Sequence, residues 1–121
     1  MGYNDMITTV QYYSGISDRD SENVLRAFIG SLVIHLTESE REDLASQLPQ
    51  ELQKVTMDPI ATEHNVTQDI LEQFMEHRDV EEQDAVTQMK AAWKALSDTI
   101  TSFDIEAISS QLPKSTVALL Q

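Results

Sequence analysis

Residues 46–49 read Ser46-Gln47-Leu48-Pro49, and the same four residues return 64 positions later as Ser110-Gln111-Leu112-Pro113. Shifting the chain by 64 positions aligns residues 5–56 with residues 69–120 without a gap. The identical pairs outside the tetrapeptide are Asp5 and Asp69, Asp20 and Asp84, Ala27 and Ala91, Leu32 and Leu96, Thr37 and Thr101, and Glu42 and Glu106. Self-similarity of this kind indicates architecture before it indicates chemistry. We therefore predict a tandem repeat.

The repeat also sets the expected domain organisation. We place repeat one at about 3–56, a linker at 57–66 and repeat two at about 67–120, all within a single domain spanning 1–121. A repeat of roughly 55 residues would be only marginally stable alone, because so short a chain buries too little surface. The two repeats are therefore expected to share one core.

The spacing of apolar residues predicts an all-α fold, since apolar side chains recur with helical periodicity and no segment alternates as a strand would. Each repeat should contain three to four helices packed like a helical bundle. The expected helices of repeat one are 4–13, 18–36, a third ending near 47 and a short fourth after Pro49. Those of repeat two are 67–78, 82–100, 102–111 and 113–120.

Three local signals support these boundaries. Ser14-Gly15 should end the first helix, because glycine readily adopts the left-handed geometry of a helix C-terminus. Thr37 with Glu40 forms the pattern of a capping box, in which each side chain bonds the other residue's backbone N–H. Val33 and Ile34 in repeat one correspond to Ser97 and Asp98 in repeat two, so the first long helix should be the more central.

The Leu-Pro steps predict two structural corners, at Leu48-Pro49 and Leu112-Pro113. Proline lacks an N–H and disfavours helical geometry in the residue before it, so a helix must stop there. Proline is also favoured in the first turn of a new helix. Each corner should therefore join two helices at an angle, with its leucine directed into the core.

Together these features resemble a prokaryotic protein family, the domain of unknown function 2267. The resemblance rests on the long helix, on Leu36-Thr37 at the start of the next helix and on the later Gln47-Leu48-Pro49, with parallels at Ile100-Thr101 and Gln111-Leu112-Pro113. It covers essentially the whole chain. The family implies an all-helical fold of two similar halves and supplies no catalytic or cofactor-binding residue.

The net charge of −13 is the strongest feature of the composition. It disfavours direct binding to nucleic acids or anionic membranes, since both carry negative charge. The acids are spread evenly, which fits either a solvated surface suited to a salty cytoplasm or a surface for a basic protein partner. The chain has no cysteine, no apolar run near the roughly 20 residues of a membrane span and no signal-peptide pattern at its start. We therefore expect a cytoplasmic protein.

Few residues suggest chemistry. Acidic pairs are too numerous to single out a catalytic pair, and neither a phosphate-binding glycine loop nor a nucleophile elbow is present. The acidic stretch 18–23 lacks the glycine and final glutamate of a calcium loop. One metal hypothesis involves Glu76, His77 and Glu81, although acids there also suit a helix N-terminus. No catalytic, cofactor-binding or metal-ligating residue is predicted.

Two aromatic residues are candidate partner contacts. Trp93 corresponds to Ile29 on the long helix, so it suits either core packing or the lining of a groove. Tyr12 lies off the apolar face of the first helix, and surface aromatics are common at interfaces. The first functional hypothesis is thus a non-enzymatic protein-interaction or regulatory module. The alternatives are an enzyme or ligand-binding protein with a pocket between the repeats, and a structural role in stress or salt tolerance.

Overall fold

A computed structural model describes residues 2–57 and 69–120. Within those two ranges the regular structure consists of eight α-helices, and no strand is present, so the predicted all-α class is confirmed. The helices are α1 (Tyr3–Ser14), α2 (Asp18–Val33), α3 (Glu38–Gln47), α4 (Gln50–Met57), α5 (Ile70–Arg78), α6 (Glu82–Thr99), α7 (Ser102–Gln111) and α8 (Lys114–Leu120). The predicted linker lies outside the described residues except for Met57, which ends α4.

The helix ends follow from local sequence. Gly15 ends α1 in the left-handed region at φ 74°, where its N–H donates to the carbonyl of Gln11. Ser17 caps α2 by accepting from the backbone N–H of Asp20, and Asp69 caps α5 by accepting from that of Leu71. Side-chain caps of this kind satisfy N–H groups that have no partner within the helix.

The helix α2 is shorter than predicted, because it ends at Val33 rather than near residue 36. The next residues form a tight turn in which the N–H groups of His35 and Leu36 bond carbonyls three positions back. Ile34 is therefore half-buried in a turn and does not belong to the long helix. The turn brings Thr37 to the start of α3, and a continuous helix would prevent that placement.

The core is one connected cluster to which all eight helices or their ends contribute. Helix α1 packs mainly on α6, and α2 packs on α5, so the early helices lie against the later ones. The helices α3 and α7 contact each other, while α4 packs on α2 and α8 packs on α6. The second half of α2 is buried on every side, since each residue from Ala27 to Val33 is buried. None of the described helices has the length and apolar character needed to cross a membrane.

Candidate functional site

Two features of the fold concern function: an apolar cleft on α6, α7 and α8, and a polar seam between α3 and α7. Both adjoin the Leu-Pro corners. Leu48 and Leu112 are buried, each in extended backbone geometry at the end of its helix. Pro49 and Pro113 are half-buried and directly precede α4 and α8. Because Gln47 and Gln111 are the last helical residues before these corners, the corners determine the positions of the two glutamine side chains.

The seam is held by two reciprocal hydrogen bonds. The backbone N–H of Thr101 donates to Oε1 of Gln47 over 3.1 Å. The backbone N–H of Thr37 donates to Oε1 of Gln111 over 2.9 Å. Each glutamine is the last residue of one helix, and its Oε1 accepts the backbone N–H of the threonine that caps the other helix. The capping box predicted at Thr37 therefore forms only in part: Thr37 Oγ1 accepts from the N–H of Glu40, but a glutamine from α7 takes the place of the glutamate.

Two carboxyl groups lie buried in this seam at positions 64 apart. Glu40 on α3 is 9% exposed, and Asp104 on α7 is 8% exposed. Asp104 Oδ2 accepts from Thr101 Oγ1 over 2.6 Å and also from Nε2 of Gln47. Glu40 Oε1 is buried without a hydrogen-bond partner. Burial raises the pKa of Glu40 above its ordinary 4.5, and the negative charges of Asp104 and Asp43 raise it further.

The α6–α8 cleft is a depression of about 240 Å³ whose lining side chains are mainly apolar. It is lined by Trp93 from α6, Ile105 and Ser109 from α7, Leu112 at the corner, and Val117 and Leu120 from α8. Ser109 is the single polar residue of this lining. At the positions 64 residues earlier, Ile105, Val117 and Leu120 are replaced by Arg41, Gln53 and Thr56. The apolar lining is therefore particular to the C-terminal half of the chain.

The two candidate aromatic residues occupy different surroundings. Trp93 lines the cleft and contacts Phe28 edge-on, with ring centroids 6.4 Å apart, so it combines packing on the core with an accessible face. Tyr12 is 80% exposed and stacks edge-on against Tyr13 on the same helix. Tyr12 is not part of the cleft. Phe103 on α7 is another exposed aromatic, at 76%, and it too lies outside the cleft lining.

A second, polar cleft lies between the N-terminal ends of α1 and α2, with a volume of about 210 Å³. Its lining consists of Asn4, Ile7, Thr8, Asp18 and Glu22. Across residues 2–57 and 69–120, no three histidines or acids come together as metal ligands would. Glu76, His77 and Glu81, the residues of the metal hypothesis, do not form such a group either. His35 Nε2 is buried without a partner, and burial lowers the pKa of His35 in spite of the nearby charge of Asp69.

The sequence pointed to Trp93 and Leu112 in the cleft lining, but not to the other side chains that define the cleft and the seam. It gave Gln47 and Gln111 no role beyond the repeated motif, and it did not single out Ile105 or Val117. One signal was present: a glutamine recurs before each Leu-Pro step, and a threonine recurs ten residues earlier. The pairing of each glutamine with the other half's threonine depends on how α3 and α7 pack.

Comparison with known proteins identifies a family. The family described as uncharacterized conserved protein, DUF2267, matches residues 3–119, which is nearly the whole chain. No curated protein and no solved structure matches the chain.

Proposed function

The chain belongs to the DUF2267 family, and from its cleft we propose that it is a non-enzymatic protein-interaction or regulatory module. The observation that carries the proposal is the apolar α6–α8 cleft. Partner side chains that anchor an interface characteristically fill well-packed apolar pockets of this kind. The partner is a helix whose apolar face enters the cleft, as in other helix-in-groove complexes.

Volume and lining both favour an anchor side chain over a small ligand. Pockets for small molecules usually measure about 300–1,000 Å³ and contain several convergent polar groups. The cleft measures about 240 Å³ and offers only Ser109 as a polar residue. Catalysis would require a nucleophile, acid or base directed at one point. The lining instead supplies the faces of Trp93, Ile105 and Val117.

Charge favours a basic partner. The net charge of −13 produces a negative field that attracts cationic proteins and speeds their encounter. At the end of α6 the cation of Lys94 is already matched by Asp98 over 3.3 Å. A helix with basic residues beside its apolar face therefore suits the cleft better than an acidic one. The same field disfavours nucleic acids and anionic membranes as partners.

We further propose that the two halves are tandem repeats sharing one core, in a chain located in the cytoplasm. The reciprocal bonds of Gln47 and Gln111 support the first statement, because each atom pair has a counterpart 64 positions away. The packing of α1 on α6 and of α2 on α5 supports it in the same way. The absence of cysteine from the sequence suits a reducing compartment.

The test replaces cleft residues by those at the equivalent positions of the first half. Ile105→Arg and Val117→Gln introduce the residues found at positions 41 and 53. The control, Phe103→Ser, introduces the residue at position 39 and changes an aromatic outside the cleft. Each purified variant is used to capture proteins from a lysate of the source organism at physiological salt. We expect one or more basic proteins to be enriched by the wild type and by Phe103→Ser, and lost with both cleft variants.

Trp93 provides a second readout because it is the one tryptophan of the sequence and lines the cleft. Titrating the captured protein, or a tryptophan-free fragment of it, should change Trp93 fluorescence in the wild type and in Phe103→Ser. Repeated failure to enrich any protein would argue strongly against the proposal. Enrichment that survives both cleft substitutions would show that the cleft is not the binding surface.

A further inference from the structure

A buried carboxyl group in the seam between α3 and α7 lies outside the lining of the cleft. Glu40 lies in the first turn of α3, and its carboxyl group is buried where α3 meets α7. A glutamate at this position would ordinarily accept the N–H of the capping residue, here Thr37. Gln111 already occupies that N–H, so Glu40 Oε1 is left without a partner. A buried, unpaired carboxylate oxygen is costly, and a proton removes most of that cost.

The charges around Glu40 are unfavourable to its ionised form. Asp104 from α7 and Asp43 from α3 both act on it, and both are acidic. Arg41, the cation on α3, makes no ion pair with it. The helix α4 also packs on α3, and its two charged residues, Glu51 and Lys54, are exposed. Burial and these neighbours raise the pKa of Glu40.

Asp104 occupies the equivalent position and has a different environment. Its Oδ2 accepts hydrogen bonds from Thr101 Oγ1 and from Nε2 of Gln47. The two carboxyl groups are therefore unequal, because Asp104 Oδ2 has two hydrogen-bond donors whereas Glu40 Oε1 is buried without one. A proton on Glu40 would give its buried Oε1 the hydrogen that no neighbouring group donates.

We propose that Glu40 is a proton-binding site of the α3–α7 seam, and that proton uptake there tightens the seam as pH falls. A proton suits the site better than a metal ion does. One free oxygen can hold a proton, whereas calcium or magnesium needs about six ligands. No group of three potential ligands surrounds Glu40 in the described ranges. Protonation also relieves repulsion between Glu40 and Asp104.

The stability effect has a definite sign. A carboxyl whose pKa is raised by folding contributes stability that is fully present below about pH 4.5 and is lost as pH rises through the folded pKa. Glu40→Gln replaces the carboxyl by a neutral group of nearly the same shape. Glu42→Gln is the matched control, since it removes the same charge from an exposed position on the same helix. His35 is unchanged in both variants, so its opposite pH dependence cancels in the comparison.

The experiment measures urea midpoints from pH 5 to pH 8 for the wild type and both variants. We expect Glu40→Gln to have a higher midpoint than Glu42→Gln at pH 8, and the difference to shrink towards pH 5. Carbon-13 NMR of the wild-type side chain gives a direct measurement that does not depend on the variants. The Glu40 carboxyl should titrate above pH 4.5, and Asp104→Asn should lower its midpoint.

Three results would overturn the proposal. The first is a Glu40 carboxyl that titrates at or below pH 4.5 in the wild type. The second is Glu40→Gln being less stable than Glu42→Gln at pH 8, which would mean that the ionised form is the one the seam requires. The third is a rise in the wild-type midpoint on adding magnesium or calcium chloride that Glu40→Gln abolishes. That result would identify a cation site in place of a proton site.

Discussion

At the residue scale, identical residues in the two Leu-Pro corners have different surroundings. Leu48 is packed within the core, whereas Leu112 is packed on one side and lines the α6–α8 cleft on the other. The cost of truncating a buried leucine depends on how many packed neighbours lose contact and on the cavity that remains. The same substitution should therefore give unequal results at the two corners.

We predict that Leu48→Ala lowers the free energy of unfolding by about 2–5 kcal/mol. Leu112→Ala should cost less, because part of its side chain already faces open space and α8 ends near the described C-terminus. Urea denaturation of both variants measures the difference. Tyr12→Ala serves as the control for an exposed residue and should remain within about 0.5 kcal/mol of the wild type. Equal effects at the two leucines, or two negligible ones, would contradict the prediction.

At the element scale, the start of α3 is capped by a residue of α7, and the start of α7 is capped by a residue of α3. The N-cap threonines satisfy one backbone N–H each from within their own helix. Their own N–H groups bond glutamines that lie at the far end of the other helix. The beginning of each helix thus depends on the position where the other helix ends. A helix of only ten residues has little stability alone, so this mutual capping helps to stabilise both α3 and α7.

We predict that Gln47→Ala destabilises the protein more than Gln111→Ala does. Gln47 bonds both the Thr101 N–H and the Asp104 carboxylate, and a hydrogen bond to a charged group is the stronger kind. The expected losses are about 1–3 kcal/mol for Gln47→Ala and about 0.5–1.5 kcal/mol for Gln111→Ala. Denaturation curves of both variants provide the measurement. Ser110→Ala, an exposed change beside Gln111, is the control, and equal losses in all three variants would show that the seam bonds contribute nothing specific.

At the scale of the whole molecule, negative charge opposes compactness. The sequence carries 21 acidic residues against 8 basic ones, so even if every base formed an ion pair, as Lys94 does with Asp98, most acids would remain unmatched. Self-repulsion of this size destabilises a small folded domain. Salt shortens the screening length from about 8 Å at physiological ionic strength to about 3 Å at 1 M.

We therefore predict that the melting temperature rises between low salt and about 1 M sodium chloride. The control is the double variant Glu42→Lys with Glu106→Lys, which replaces two exposed negative charges by positive ones. It should melt higher than the wild type at low salt and gain less from added salt. A melting temperature that does not increase with salt in the wild type would contradict the prediction.

The sequence alone determined the helical class, most helix boundaries and the family, because helical periodicity, caps and Leu-Pro steps act within a few residues of chain. It also identified Trp93 as either a core residue or a groove residue, and the structure shows it contacting the core at the edge of a cleft. The tertiary structure decided how α3 and α7 pair, and hence that Gln111 displaces Glu40 from the Thr37 N–H. The hydrogen bond from Thr37 to Gln111 joins residues 74 positions apart. At such a separation, only the packing of the whole chain determines which groups meet. The same packing leaves Glu40 Oε1 buried without a hydrogen-bond partner and opens the cleft beside Leu112.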